Sequence, residues 1–414
     1  MKTILSGIVI GLGVMIASCN SSANKSSNNV STDSDSTHLP PVETKEPNSA
    51  YKPAFEGQTR ISGVKTSAPY EGKILSEGLE KPWGITSLPD GRFLITQKEG
   101  TMRIAAADGK LSEAITGLPK VNSAGQGGLL GLTLDPSFTD NRMVYWVFSE
   151  AQPDGKNLTA VAKGKLSADE KTIENAQVIY RATPAFKSNA HYGGRILFDK
   201  TGNIIFSTGE RSILESRPQA QYLNSSLGKT IRITTEGKAA PGNPFEGNAD
   251  ARPELYSYGH RNVQGLAFNP ATGDLWETEF GPRGGDEVNL IKPGKNYGWP
   301  IITYGIEYAG PKVGEGIQQK EGMEQPVYYY DPVISPSGIT FYSGDEIPEW
   351  KNNLFISSLS GMHIARLVIK DNKVVGEERL LADESQRFRD ITQGKDGALY
   401  AVTDQGRLYR LGKK

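Results

Sequence analysis

The stretch GGRILFDKTGNIIFSTGER, from Gly193 to Arg211, decides the fold. A short apolar run, ILF, meets the turn formers Asp199, Gly202 and Asn203, and a second apolar run, IIF, follows. Both runs are too short for helices, and the residues between them favour a tight reversal, so the stretch predicts two paired strands. The same unit recurs on either side. It appears as WGITSLPDGRFLITQKEGTMRIA from Trp83 and as LLGLTLDPSFTDNRMVYWVFSE from Leu129. It returns as VQGLAFNPATGDLWETEFG from Val263, SGITFYSGDEIPEWKNNLFISSL from Ser337 and FRDITQGKDGALYAVTDQGRLYRL from Phe388. Six copies without a sustained 3.6-residue apolar period predict an all-β chain, a six-bladed β-propeller in which each unit is one blade. Two β-sandwiches are the competing architecture, but their strands would not repeat the same turn in the same place. Spacing is widest between Leu129 and Ser337, which predicts long insertions in the middle blades, where binding and chemistry tend to reside.

Composition narrows the function classes. Lys plus Arg number 46 against 47 Asp plus Glu, so no global field draws the chain to nucleic acid, and no nucleic-acid partner is expected. Lys2 and the apolar run from Ile4 to Ile16 have the proportions of an export signal. IASC, ending at the single cysteine, Cys19, is similar to a bacterial lipobox, so residues 1–19 are read as a lipoprotein signal. Membrane attachment is then expected only through a lipid on Cys19, with the protein exported and facing the periplasm or cell surface. Residues 20–57, rich in Ser, Asn and Pro, are expected as a disordered tether containing His38, and residues 58–414 as the propeller.

Polar residues suited to chemistry gather at predicted strand entrances. Gln126 stands among glycines in GQGGLLGL, His191 precedes a Gly-Gly step, and His260, Arg261, Asn262 and Gln264 enter the fourth unit. Arg387 and Arg389 flank Phe388, so on a strand both guanidinium groups leave one face. Each also has a bland reading: a packed histidine, arginines paired with Asp390 or Glu384, and a tight turn at GPRGGDE. His363 is read as structural. Equivalent strand starts surround one mouth of a propeller, however, so these distant residues can share a pocket.

Together the motifs resemble a known family. HYGGRILFDKTGNIIFSTGER, GQGGLLGLTLDPSF, YGHRNVQGLAFNPATGDLW, EFGPRGGDEVNLI, NYGWP and RFRDI are similar to those of the soluble glucose/sorbosone dehydrogenases dependent on pyrroloquinoline quinone (PQQ), and of the related aldose sugar dehydrogenases. The resemblance runs from about Gly78 to Leu411 and implies a six-bladed propeller that oxidises the C1 hydroxyl of an aldose to a lactone. It implies PQQ and Ca²⁺ as cofactors, an aldose substrate and an electron acceptor that stays unknown. By resemblance His191 is the general base, and Arg261, counted with it as catalytic, stands with Asn262 beside the quinone oxygens. Gln126 lines the reacting end of the cofactor, and Arg387 and Arg389 hold its carboxylates. The backbone carbonyls of Gly281 and Pro282 bind the metal. Four positions depart from the glucose enzymes: Ser360 replaces a lysine, Val333 a threonine, Ala190 an aspartate and Phe280 a polar residue. The resemblance implies that Ser360 and Val333 weaken the grip on the cofactor's carboxylates, whereas Ala190 and Phe280 count against glucose specificity and favour the broader aldose type. Two other functions compete, a non-catalytic cell-surface propeller that binds glycan or protein, and a propeller lactonase, which would need inward carboxylate ligands.

Overall fold

The computed structural model describes residues 39–414; the expected export signal, Cys19, the first half of the expected tether and His38 lie outside them. Six antiparallel sheets form six blades. Their inner strands are Pro82–Ser87, Leu129–Leu134, Ile196–Phe198, Val263–Phe268, Pro336–Phe341 and Phe388–Gln393, each within one of the six repeats or beginning one residue ahead of it. Among the described residues the one α-helix is the single turn Phe138–Asn141.

In the stretch that announced the fold, Ile196–Phe198 pairs with Ile204–Ser207. Asp199 closes the turn by accepting from the backbone N–H groups of Thr201 at 2.8 Å and Asn203 at 3.0 Å, while Gly202 takes φ +78°. The remaining carboxylate oxygen holds Arg232 of the next strand at 2.6 Å.

The ring closes with strands from both ends of the chain. Tyr70–Ser76 pairs with Leu408–Lys413, so the sixth blade contains the first strand and its three successors from the C-terminus. The first blade has three strands and the others four. The apolar core lies between blades, where Trp146 and Phe148 meet Leu94 and Met102, and Trp276 meets Phe341 and Ile356. Six of these seven are fully buried and Phe341 is nearly so. Truncating such a tryptophan typically costs about 3–5 kcal/mol.

One expectation is corrected. Residues 39–57, placed in the tether because so few are aliphatic, are fastened to the propeller. Leu39 bridges Gly63, Glu43 pairs with Arg379 at 2.8 Å, and Asn48 and Ser49 bond the carboxylate of Asp331. Polar hydrogen bonds hold this segment in place of an apolar face, and sequence composition does not register them.

Candidate active site

The backbone before the third inner strand is wound tightly. His191 has φ +48°, Gly193 +66° and Gly194 +112°, and a Cβ at Gly193 would lie 2.6 Å from the Cα of Thr208. Only glycine fits that approach. His191 is held in its left-handed conformation from two sides: its N–H donates to Gln126 Oε1 at 2.8 Å, and its carbonyl accepts from the N–H of Arg211 at 3.3 Å. Arg211 is itself buried, stacked 3.5 Å from the centre of the Tyr192 ring, and bonded to Asn157 and the carbonyl of Ser188.

The His191 ring lies almost wholly out of water, with Nδ1 2.5 Å from Glu210 Oε1. Burial pushes its pKa down to about 4, Arg261 pushes the same way, and Glu210 only partly opposes them. A neutral ring beside Glu210 carries its proton on Nδ1, and Nε2 has no hydrogen-bond partner among the described residues, so it is available as an acceptor.

Next to this loop is a cavity of about 420 Å³ at the strand-entrance mouth of the propeller. Gln126, Arg387 and Arg389 line it, as do Lys81, Lys98, Trp83, Tyr192, Gln264 and Phe280. Asp404 clamps the arginine pair, accepting from Arg387 Nε at 2.9 Å and from Arg389 Nε at 2.8 Å. Neither of the two acids expected as partners does so. Asp390 instead pairs with the buried Arg195 at 2.5 Å, and Glu384 accepts from Tyr409. Four cations and one carboxylate make the wall strongly positive. Leu359 reaches the cavity, but Ser360 and Val333 do not line it; Ser360 is turned to the hydroxyl of Ser335 at 2.8 Å.

His191, Arg261 and Asn262 are not among the residues that line this cavity; Asn262 meets its wall through Gly193 and Gln264. Asn262 Oδ1 accepts from the Gly193 N–H at 2.9 Å, and its buried Nδ2 is unpartnered. Arg261 donates to the carbonyls of Gly281 at 2.7 Å and Phe280 at 3.1 Å. It thus joins the metal-turn candidate to the histidine loop, with Gly281 and Arg261 sharing a small cleft that Phe280 separates from the main cavity. Pro282 is buried against Gly305 and lines neither space. Asp286 fastens the turn, taking the Gly281 N–H at 2.8 Å and the N–H groups of Ile334 and Ser335; burial raises its pKa to about 7.

Below Arg261, the ring of His260 stacks on Tyr297 and meets Glu277 at 2.9 Å and Glu279 at 3.4 Å. Those two carboxylates overcome burial and raise its pKa to about 10. Glu279 also accepts from the backbone N–H of Arg261, so this charged layer fixes the chain where Arg261 leaves it.

The comparison with known proteins is decided by residues 79–410, which match the glucose/sorbosone dehydrogenase family. The chain belongs to that family. It is 40% identical over 335 residues to aldose sugar dehydrogenase YliI of Escherichia coli, a match spanning 80% of this chain and 90% of that one. The apo crystal structure of the soluble E. coli aldose sugar dehydrogenase superposes with a TM-score of 0.79 at 38% identity, over 83% of this chain and all of the other. The PQQ-bound aldose sugar dehydrogenase of Streptomyces coelicolor gives 0.70 at 29% identity, over 84% and 99%. Within this family's fold, sequence reading missed Glu210, Asp404, Lys81 and Lys98. Glu210 was in view inside STGER, two strands' length from His191, but its pairing is a matter of sheet geometry. Asp404 lies in the hairpin turn opposite Arg387 and Arg389 and had no local signal.

Proposed function

We propose that the protein oxidises the C1 hydroxyl of aldoses to lactones, with PQQ in the cavity and Ca²⁺ at the Gly281–Pro282 turn. One observation carries this reading: a histidine held neutral with a free Nε2 stands beside a cavity whose wall bears Lys81, Lys98, Arg387 and Arg389. PQQ is planar and carries three carboxylates, which suits fixed guanidinium forks and the flat faces of Trp83 and Tyr192. Lys81 and Lys98 supply charge from the first blade, offsetting the lysine absent at Ser360. The PQQ-bound relative from S. coelicolor supports the same cofactor.

The metal assignment rests on donor chemistry. The turn offers carbonyl oxygens and no thiol or imidazole, a hard set suited to Ca²⁺. The Gly281 carbonyl already accepts from Arg261, so the metal and the guanidinium would share the two lone pairs of that oxygen. When bound, PQQ with Ca²⁺ supplies the acceptor for the hydride that leaves C1.

The chain's own residues do the rest. His191 Nε2 takes the hydroxyl proton, and Glu210 fixes the tautomer and stabilises the imidazolium that forms. Arg261, in the cleft behind Phe280, supplies positive charge toward the end of the cavity where negative charge grows, and the unpartnered Nδ2 of Asn262 lies behind Gly193 on the same side. Gln126 positions the base through its backbone N–H. Reconstituting the purified chain with PQQ and Ca²⁺ and following dye reduction across an aldose panel tests the reading. Turnover should need both cofactors and be lost on chelation; turnover without PQQ, or with NAD⁺ in its place, would contradict it.

The proposal includes export and a lipid anchor at Cys19, supported by Lys2, the apolar run and IASC. Cys19→Ala should move the protein out of the membrane fraction with its turnover unchanged; retention in that fraction would refute the anchor.

A further inference from the structure

We infer that the segment Glu43–Ser49, ahead of the propeller in the chain, is a positioning element of the cofactor site. It clamps the Gly281–Gly285 loop from outside and thereby sets the affinity for Ca²⁺ and PQQ. The inference rests on the cofactor reading above.

The segment is anchored at its near end on the fifth blade. Glu43 pairs with Arg379, which also holds Glu377 of the same strand, and Arg60 donates to the carbonyls of Glu43, Lys45 and Asp331. The chain then reaches the side of the metal turn. Asp331 receives four bonds from two consecutive residues: the N–H and side-chain amide of Asn48 at 2.7 and 2.9 Å, and the N–H and hydroxyl of Ser49, both at 3.1 Å. The carboxylate so held packs on Gly284, where an added Cβ would meet Asp331 Oδ1 at 2.9 Å.

Two further bonds reach the loop and its support directly. Arg283, next to the proposed metal-binding Pro282, donates from Nε to Asn48 Oδ1 at 3.1 Å, and the single Ser49 hydroxyl proton is shared between Asp331 and the Tyr304 carbonyl, 3.2 Å away. Tyr304 and Gly305 pack on Gly285 so closely that a Cβ there would lie 2.6 Å from the Gly305 nitrogen. Asn48 and Ser49 therefore close the outer side of a loop whose inner side presents the Gly281 carbonyl to Arg261. Removing both side chains takes two of the four bonds from the largely buried Asp331, directly against Gly284, together with the bonds to Arg283 and the Tyr304 carbonyl, and leaves the two backbone N–H bonds in place. A loop freed on that side must be ordered by the ligand itself, which weakens binding. The six blades keep their hydrogen bonds either way, so the effect belongs to the site.

The test uses the full chain with Asn48→Ala and Ser49→Ala combined, and Ser49→Ala alone as a milder variant. Three quantities are read: amide hydrogen exchange over residues 281–286 without cofactors, Kd for PQQ and for Ca²⁺ by direct titration, and kcat at saturating cofactor. The double variant should exchange faster over 281–286 and keep the blade strands protected. Its Kd values should rise about tenfold, those of the single variant about threefold, and kcat should stay within about twofold of wild type. Wild-type exchange and wild-type Kd values in a correctly folded double variant would overturn the inference. Should the double variant fail to fold, unchanged exchange and Kd in the single variant would overturn it equally. A wild-type chain that binds neither PQQ nor Ca²⁺ would defeat the cofactor reading instead, and the exchange comparison would still decide whether the segment clamps the loop.

Discussion

His191 and His260 open two neighbouring blades, and both are buried beside glutamate, yet their pKa values move in opposite directions, to about 4 and about 10. Burial disfavours the charged form of both rings. What differs is the neighbourhood. His191 has one carboxylate, Glu210, and two guanidinium groups, Arg261 and Arg211, whereas His260 has Glu277 and Glu279 on one side. The first ring is kept neutral, with its Nε2 free of any hydrogen bond among the described residues. The second is kept charged with both nitrogens engaged, by Ser257 and the glutamates. Chain position before a strand therefore does not make a histidine a base; the local balance of charge does.

The largest expected effect breaks the first half of that contrast. His191→Gln keeps a polar side chain and removes the acceptor, so turnover should fall by roughly 10²- to 10⁴-fold while titrated PQQ affinity stays near wild type. Near-normal turnover would show that another group takes the proton. The second prediction breaks the other half. His260→Gln strands Glu277 in the interior and should cost about 3–5 kcal/mol of unfolding free energy at neutral pH, measured by denaturant titration. In the wild type His260 binds its proton more tightly folded than unfolded. Its contribution should be complete below pH 6.5 and fade as pH rises toward 10, and His260→Gln should flatten that alkaline decline.

His191 has the reverse sign. Between pH 6.5 and about 4 the unfolded chain binds a proton that the native ring refuses, so stability should fall with pH by up to about 3 kcal/mol. His363, also lowered to about 4 by burial, adds a similar loss, so His191→Gln should reduce the acid decline without abolishing it. The smallest expected effect concerns the opposite wall. Arg389→Ala removes one charge-assisted partner and should weaken PQQ binding roughly ten- to a hundredfold, with turnover largely restored at saturating PQQ. Unchanged affinity would move the carboxylate contacts elsewhere, with Lys81 and Lys98 the next to replace.

The blades were legible because the repeat writes strand, turn and strand six times, and the first inner residue of each copy falls within a few positions of its strand. Gln126, Arg387 and Arg389 were legible as wall residues for the same reason, since strand entrances converge on one mouth. The charge partners were not. Glu210 and Asp404 meet their partners across hairpins, and local spacing does not announce a side-chain contact made through sheet register. Nor did the sequence show that Asp390 is withdrawn from the arginine pair by Arg195 behind it. Residues 39–57 were misread because composition reports apolar burial and is blind to a segment held by polar contacts with Gly63, Arg379, Arg60 and Asp331.

The central claim is that His191 is a base held neutral by burial and by the guanidinium groups around it. The most direct test is the pH dependence of kcat/KM for an aldose with the chain reconstituted in PQQ and Ca²⁺, which reports the base in the free enzyme. The profile should remain level from neutral pH down to about 5 and fall to half near pH 4. An acid limb centred near 6.5, the ordinary histidine value, would contradict the account.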